Sequence, residues 1–522
     1  MPLPAADVAA PPDGTVEPAE RVDRPSGTVV FRASVPALVV SGVLGTLYGV
    51  TVMPGVGGPT DTAKFQYLGS VLGTAHDPGY PLYTMLLAVA VRLVPGVEDA
   101  LVANLLSAVC TVAAALVFLR VLQRLGVRPT VAVAITLVLG LTRGIWSQAV
   151  IAEVYGLNLL LVTGVLFFLV RWRQSSRDLH LFLALAVWAL SFAHATSAVL
   201  LAPGVLVLLV LVGGRRLLRP RLLLWVPALA ALALLPYGYV LWRTMDPSTV
   251  YLEANFRSFP QFVSMVRGET FAAQMFAFPL HELLTTRVQV AVEQLRGQPL
   301  AWAVVPALLG LTARRREPVV WLLVLWAGAV VVWGLDYDIP DIEVVFLPAW
   351  ACLLALAALG IESVLSWASS RPVRLGVTVA TLAAPVATAV LVLPGVDLSG
   401  DLGQQRVTQA LAEVGDTGGV VSSFQYHHFN YYLIGPGTVP TRTEDVYSAL
   451  PMTRLQMVQY CRGTPAELGW NRTVRTAPAG LPLYVFDPPY LEAVASGGVP
   501  LVRLTPDLAR VDCTALLAAP PR

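Results

Sequence analysis

The sequence predicts a mainly α, polytopic transmembrane helical bundle with a small α/β domain at its C-terminal end. Of 522 residues, 56% are hydrophobic and 13% charged, and mean hydropathy is +0.67. That is more apolar surface than a soluble domain buries, so most of it must face lipid. Apolar runs of about 17 to 22 residues, long enough to cross a bilayer core as a helix, recur between residues 33 and 396. Arginines cluster in every second connection between these runs. A net charge of +2 excludes an electrostatic nucleic-acid binder, whose phosphate contacts demand a strong basic excess.

Residues 1–32 are rich in Pro, Ala, Asp and Glu without apolar periodicity, and read as a disordered cytoplasmic tail. No small-residue cleavage pattern follows Met53, and the run before it is too long for a signal-peptide core. The predicted spans are 33–53, 100–119, 129–147, 154–170, 180–196, 197–214, 222–242, 298–312, 318–335, 344–361 and 375–396, eleven in all. Among the basic clusters are Arg120, Arg124 and Arg128; Arg171, Arg173 and Arg177; and Arg314, Arg315 and Arg316. The positive-inside rule then places the N-terminus in the cytoplasm and the C-terminal domain outside. Counting 82–95 as a span would invert every later cluster. That stretch is short and contains Arg92, so it reads as a helix in the outer interface. Residues 33–397 thus form the membrane module, with outer loops at 54–99 and 243–297, the latter expected to hold short interfacial helices.

Residues 398–522 read as a soluble extracytoplasmic domain. QQRVTQALAEV has helical spacing, while GVVSSF, LPLYVFD and VPLVRLT resemble short strands. Cys461 and Cys513 both fall in this domain, where an oxidising compartment favours a disulfide between them. Cys110 and Cys352 lie within predicted spans and read as small hydrophobes. His427 and His428, read as a strand, would point to opposite faces and serve packing. No CxxC or HExxH spacing appears, so no metal site is predicted, although a divalent cation is not excluded.

The most informative stretch is DTAKFQYLGSVLGTAHDPGYPLY, residues 61–83, polar and aromatic directly after the first span. Thr60 or Asp61 can cap a following helix, the structural explanation for the acid. Lys64 is the only lysine in the chain. It reads either as an interfacial ion pair or lipid-headgroup contact, or as a point charge that meets a phosphate or holds Asp61 ionised.

With WSQAVIAEVYGLN further on, and then FAHATSAVLLAP, LLPYGYVLWR and DYDIPDIEVVFLPAW, these segments resemble the bacterial branch of the GT-C membrane glycosyltransferases related to a eukaryotic multi-pass protein O-mannosyltransferase. The usual pattern there is D-S-G-E, then H-P-P-G-Y-P-L, then A-E-V-Y-x-L-N. Here Lys64 replaces the glutamate of the first motif and Asp77 the first proline of the second. The resemblance implies a GT-C-like bundle in a bacterial plasma membrane, a polyprenyl-phosphate sugar donor carrying mannose or another hexose or pentose, and an outer active site. It also implies catalysis by the first-loop acid, whose position Asp61 takes.

Such chemistry needs a carboxylate to take the acceptor's proton, worth about 10² to 10⁴-fold, and cations for the leaving phosphate. Asp61 is the expected base of an inverting transfer, and Glu153 is a second catalytic acid at the mouth of its span, expected to pair with Arg143, His76 or Lys64. Arg243 reads either as the phosphate partner, with Arg267 and Lys64 as alternates, or as a cation snorkelling at its helix end, and His76, Tyr80 and His194 are further substrate-binding residues. The acids Asp336, Asp338, Asp341 and Glu343 read as a solvated outer turn in preference to a cation site. The expected partners are therefore the lipid donor, membrane lipids and an extracytoplasmic protein, glycolipid or polysaccharide acceptor, with no nucleic acid. The competing class is a transporter or a non-catalytic lipid-binding assembly protein. A transporter predicts inverted repeats broken at mid-membrane, and no paired repeat is visible.

Overall fold

Each predicted apolar run folds as a helix or a bent helix pair. The computed structural model describes residues 34–59, 61–254, 256–423, 425–439, 445–465 and 480–519. The predicted tail 1–32 and the candidate cap Thr60 lie outside them. Six helices are long and apolar enough to cross a membrane: Asp99–Arg124, Tyr155–Ser175, Thr196–Leu217, Pro318–Leu335, Ile342–Trp367 and Arg371–Gly395. Two bent pairs raise this to eight, Pro129–Leu141 with Arg143–Ala149 at 67° and Leu222–Leu234 with Tyr237–Met245 at 44°. The chain is a multi-pass membrane protein. Three of the eleven predicted runs form shorter apolar helices, Val35–Thr51, Asp178–Phe192 and Ala301–Ala313. Both bends have a local cause: Thr142 is extended at ψ 147°, and Pro236 interrupts the second pair.

Ile342–Trp367 is the central helix, 89% buried, whereas Arg371–Gly395 is peripheral at 22%. Ala301–Ala313 lies backbone to backbone against the centre. A Cβ on Gly310 would sit 2.1 Å from the Leu356 carbonyl oxygen, and one on Gly360 would sit 1.8 Å from that of Pro306. Only glycine admits this approach, the small-residue packing that associates helices in lipid.

α1 (Val35–Thr51) leads to α2 (Thr62–Val71) and α3 (Pro81–Leu93), which pack on each other and on α4 (Asp99–Arg124). α3 buries Tyr83, Thr84, Leu87 and Ala88 while Met85, Val89 and Leu93 remain exposed, a one-sided burial pattern. The loop 243–297 carries several short helices, including Phe259–Arg267 and Val288–Gly297.

The C-terminal domain is α/β. Its five strands are β1 (Thr417–Val421), β2 (Asp445–Ala449), β3 (Leu483–Phe486), β4 (Leu501–Arg503) and β5 (Leu508–Val511), in the order β2-β1-β3-β5-β4. The first three run parallel and the last two pairings are antiparallel. β1, β3 and β4 fall in the stretches read as strands, whereas β2 and β5 were not foreseen. A correction concerns His427 and His428, which sit on the helix Tyr426–Leu433 rather than a strand. Its aromatic content suggests a strand, yet Phe429, Tyr431 and Tyr432 share a core with Tyr67 and Leu68 of α2, and that packing sets the local conformation. The domain therefore docks on α2 through a common core.

Cys461 and Cys513 are joined by a disulfide with Cα atoms 5.4 Å apart, tying the helix Arg454–Cys461 to Cys513–Ala518. Reduction is expected to lower this domain's unfolding free energy by about 2–4 kcal/mol. Denaturant titration of the reduced and oxidised protein, followed on the C-terminal domain, checks this, and coincident curves would refute it.

Candidate functional site

The site grows from the turn that joins α2 to α3. In HDPGYP, Gly79 adopts φ +90° and Tyr80 φ +40°, left-handed values that glycine takes freely and tyrosine only under constraint. The Gly79 N–H closes the turn on the His76 carbonyl oxygen at 2.6 Å, and Pro81 starts α3 with φ already set. The strained Tyr80 thereby directs its ring between Phe65, His76 and His194, edge to face with each at 5.3 to 6.1 Å. A backbone bridge between Thr74 and Leu252 brings the loop 243–297 alongside, so Glu253 Oε2 accepts from the His76 backbone N–H at 3.0 Å.

Asp61 is the N-cap residue of α2, but its side chain makes no capping bond. The carboxylate instead meets Lys64 at 2.7 Å and lies 3.4 Å from His76 Nδ1. Burial pushes the Asp61 carboxyl upward, and the Lys64 ammonium outweighs this, holding it well below the usual carboxylate range. Lys64 is fully buried. Desolvation would lower its pKa, but Asp61 and Glu253 keep the ammonium charged.

These groups border a cavity of about 630 Å³ lined by Asp61, His76, Tyr80, Glu153, His194 and Glu253. Its membrane-side wall is apolar and aromatic, with Val162, Leu200, Trp326, Val330 and Trp333. Ser423, Tyr426 and His427 of the C-terminal domain also line it, with Asp341 of the acidic turn. Glu153 is buried in the strap before the helix Tyr155–Ser175. Its backbone N–H donates to Ser107 Oγ at 3.0 Å, and its carboxyl accepts from the Thr62 hydroxyl at 3.3 Å. Burial and the nearby Asp61 charge push Glu153 up to about 8 against the pull of Lys64, so it is largely protonated at neutral pH.

The structure thus gathers Asp61, His76, Tyr80, Glu153 and His194 around one cavity, with Lys64 directly behind Asp61. Two predicted residues stand apart. Arg243 is buried with its guanidinium on the Leu72 carbonyl oxygen at 2.7 Å and Asp246 at 2.8 Å. Arg267 is exposed beside the lining residue Gly268, in a 3.3 Å ion pair with Glu269. Sequence reasoning missed Glu253, Tyr426 and His427, for which single-chain patterns offer no signal, since their approach depends on the outer loop and the docked domain. Among the described residues, no group of three or more His, Cys, Asp or Glu side chains is arranged to hold a metal ion.

Residues 61–216 match the family model of the protein O-mannosyl-transferase TMEM260 N-terminal domain. The curated mouse protein O-mannosyl-transferase TMEM260 is 32% identical over 151 residues, 29% of this chain. The match spans 20% of that relative's own length. Among solved structures, ArnT from Cupriavidus metallidurans bound to undecaprenyl phosphate superposes with a TM-score of 0.60 at 14% identity, covering 93% of this chain and 99% of that one. Its apo form gives 0.58 at 15% identity with the same coverage. This chain has the GT-C glycosyltransferase fold. Within that GT-C fold the O-mannosyl-transferase match begins at Asp61 itself and takes in Lys64, His76, Tyr80, Glu153 and His194.

Proposed function

We propose that this GT-C protein transfers a sugar from a polyprenyl-phosphate donor to an extracytoplasmic acceptor, with inversion at the anomeric carbon and Asp61 as general base. The observation that carries the reading is an ionised carboxylate, Asp61, on the wall of a cavity whose other wall is apolar. In the reaction the acceptor oxygen bonds to the anomeric carbon as the sugar–phosphate bond breaks. The electron pair leaves with the phosphate, and the acceptor proton passes to Asp61. The apolar wall suits the first isoprene units of the lipid, and the fold likeness to a protein bound to undecaprenyl phosphate supports this donor class. The sugar is mannose or another hexose or pentose, the mannose option drawn from the O-mannosyl-transferase match. The reading carries the predicted orientation with it: cytoplasmic N-terminus, and cavity and C-terminal domain outside.

For the leaving phosphate, Arg267 is the better placed arginine, because its pair with Glu269 is exposed and an exposed pair is worth little. Arg243 is already committed to Leu72 and Asp246. Arg267→Ala is therefore expected to raise the donor KM about fivefold with a smaller change in kcat. Arg243→Ala should act instead through stability, lowering Tm. Steady-state kinetics at varied donor concentration, alongside thermal melts, separates the two; an unchanged donor KM in Arg267→Ala would remove that residue from the phosphate site.

A further inference from the structure

The Lys64 ammonium has three N–H donors and three acceptors around it: Asp61 Oδ1 at 2.7 Å, Glu253 Oε2 at 2.8 Å and His76 Nδ1 at 2.7 Å. An ammonium can only donate, so an imidazole nitrogen at 2.7 Å from it must present its lone pair. The ring proton of His76 then sits on Nε2, which has no hydrogen-bond partner among the described residues, on a side chain that lines the cavity. Tyr80 and Phe271 hold the ring edge to face at 5.3 and 5.7 Å, fixing its direction. We propose that Lys64 is a positioning residue that locks His76 in its Nε2–H tautomer, so that the ring donates a hydrogen bond into the cavity to the phosphate oxygen on which negative charge grows as the sugar leaves.

This inference rests on the transfer reading above for the identity of the oxyanion, but the tautomer itself stands on the contacts alone. Because Lys64 is fully buried, it reaches a cavity ligand only through the groups it touches. The charged and titratable groups facing His76 are Lys64 and Asp61 from α2, Glu253 from the outer loop, the adjacent Asp77, and Asp341 and His427 across the cavity. Desolvation and the Lys64 charge lower the ring's affinity for a second proton, against the pull of the carboxylates. Loss of the ammonium removes that restraint, and Nδ1 then faces two carboxylates that favour a proton on it.

The test is nitrogen-15 NMR of the full-length protein, histidine-labelled and reconstituted in lipid, with the His76 signals assigned by their loss in His76→Gln. Wild type is expected to show neutral His76 protonated on Nε2 across about pH 7 to 8. Lys64→Met, close in length and uncharged, is expected to show Nδ1 protonated in the same window. In transfer assays Lys64→Met should gain a pH dependence near neutrality that wild type lacks. His76→Phe should lower kcat about tenfold at little-changed KM, with His76→Gln, which keeps an N–H donor, restoring most of it. A wild-type spectrum showing Nδ1–H overturns the proposal even if Lys64→Met does not fold. So does a Lys64→Met spectrum and pH profile identical to wild type. The outcomes are separable: an Nδ1–H ring together with an inactive Asp61→Asn sinks this inference and leaves the base assignment. An Nε2–H ring with an active Asp61→Asn does the reverse.

Discussion

Asp61→Asn is expected to lower sugar transfer by about a hundredfold or more while leaving the fold and donor binding intact. The amide is nearly isosteric, and its oxygen can still accept from Lys64 in place of the 2.7 Å carboxylate contact. The substitution therefore removes the charge and the proton-accepting capacity without emptying the pocket around the ammonium. General-base assistance is typically worth about 10² to 10⁴-fold, which sets the size of the loss. Since the base acts in the transition state, kcat and kcat/KM should fall together. Because Lys64 holds the Asp61 carboxyl well below the usual carboxylate range, wild type should show no loss of base as pH falls from 7 to about 5. Transfer from a polyprenyl-phosphate sugar, measured with size-exclusion and melting controls, is the assay. Near-normal transfer in Asp61→Asn would mean that the base lies elsewhere.

The sequence carried the bundle because hydropathy is a local, additive signal, and each of its apolar runs is helical. It did not carry the breaks. The 67° bend at Thr142 and the 44° bend before Tyr237 come from single residues inside otherwise continuous apolar runs. Asp61 and Lys64 were legible as a polar cluster following a span, where neither lipid contact nor core packing calls for them. Glu253 was not, because its approach depends on the Thr74–Leu252 bridge between distant segments. Arg243 illustrates the opposite hazard. A cation at a helix end suits a phosphate, yet its guanidinium is engaged by Leu72 and Asp246, a local arrangement that composition does not encode. The C-terminal domain looked separable by composition. In the structure Tyr67 of α2 bonds His427 at 2.9 Å, and His428 Nε2 lies 3.2 Å from the Gly58 carbonyl oxygen, so the domain completes the cavity.

Glu153 yields the second large effect, this time in pH. Burial and the Asp61 charge raise its carboxyl to about 8, so below that pH it is neutral and can donate a hydrogen bond to an acceptor oxygen, as an ionised acid cannot. Above it, ionisation would add a negative charge to a wall already holding Asp61 and Glu253, opposing the phosphate that must depart through the same space. Wild-type kcat is therefore expected to hold up to about pH 8 and then fall about tenfold per pH unit, the signature of a single group required in its protonated form. Glu153→Gln mimics the neutral form, so at pH 7 it should stay within about threefold of wild type, and its profile should lose the limb near 8. A base would behave the other way: activity would rise through pH 8, and Glu153→Gln would abolish transfer at every pH. The pH profile of the pair, wild type and Glu153→Gln, thus decides between a positioning acid and a proton acceptor at this residue, leaving Asp61 as the base only in the first case.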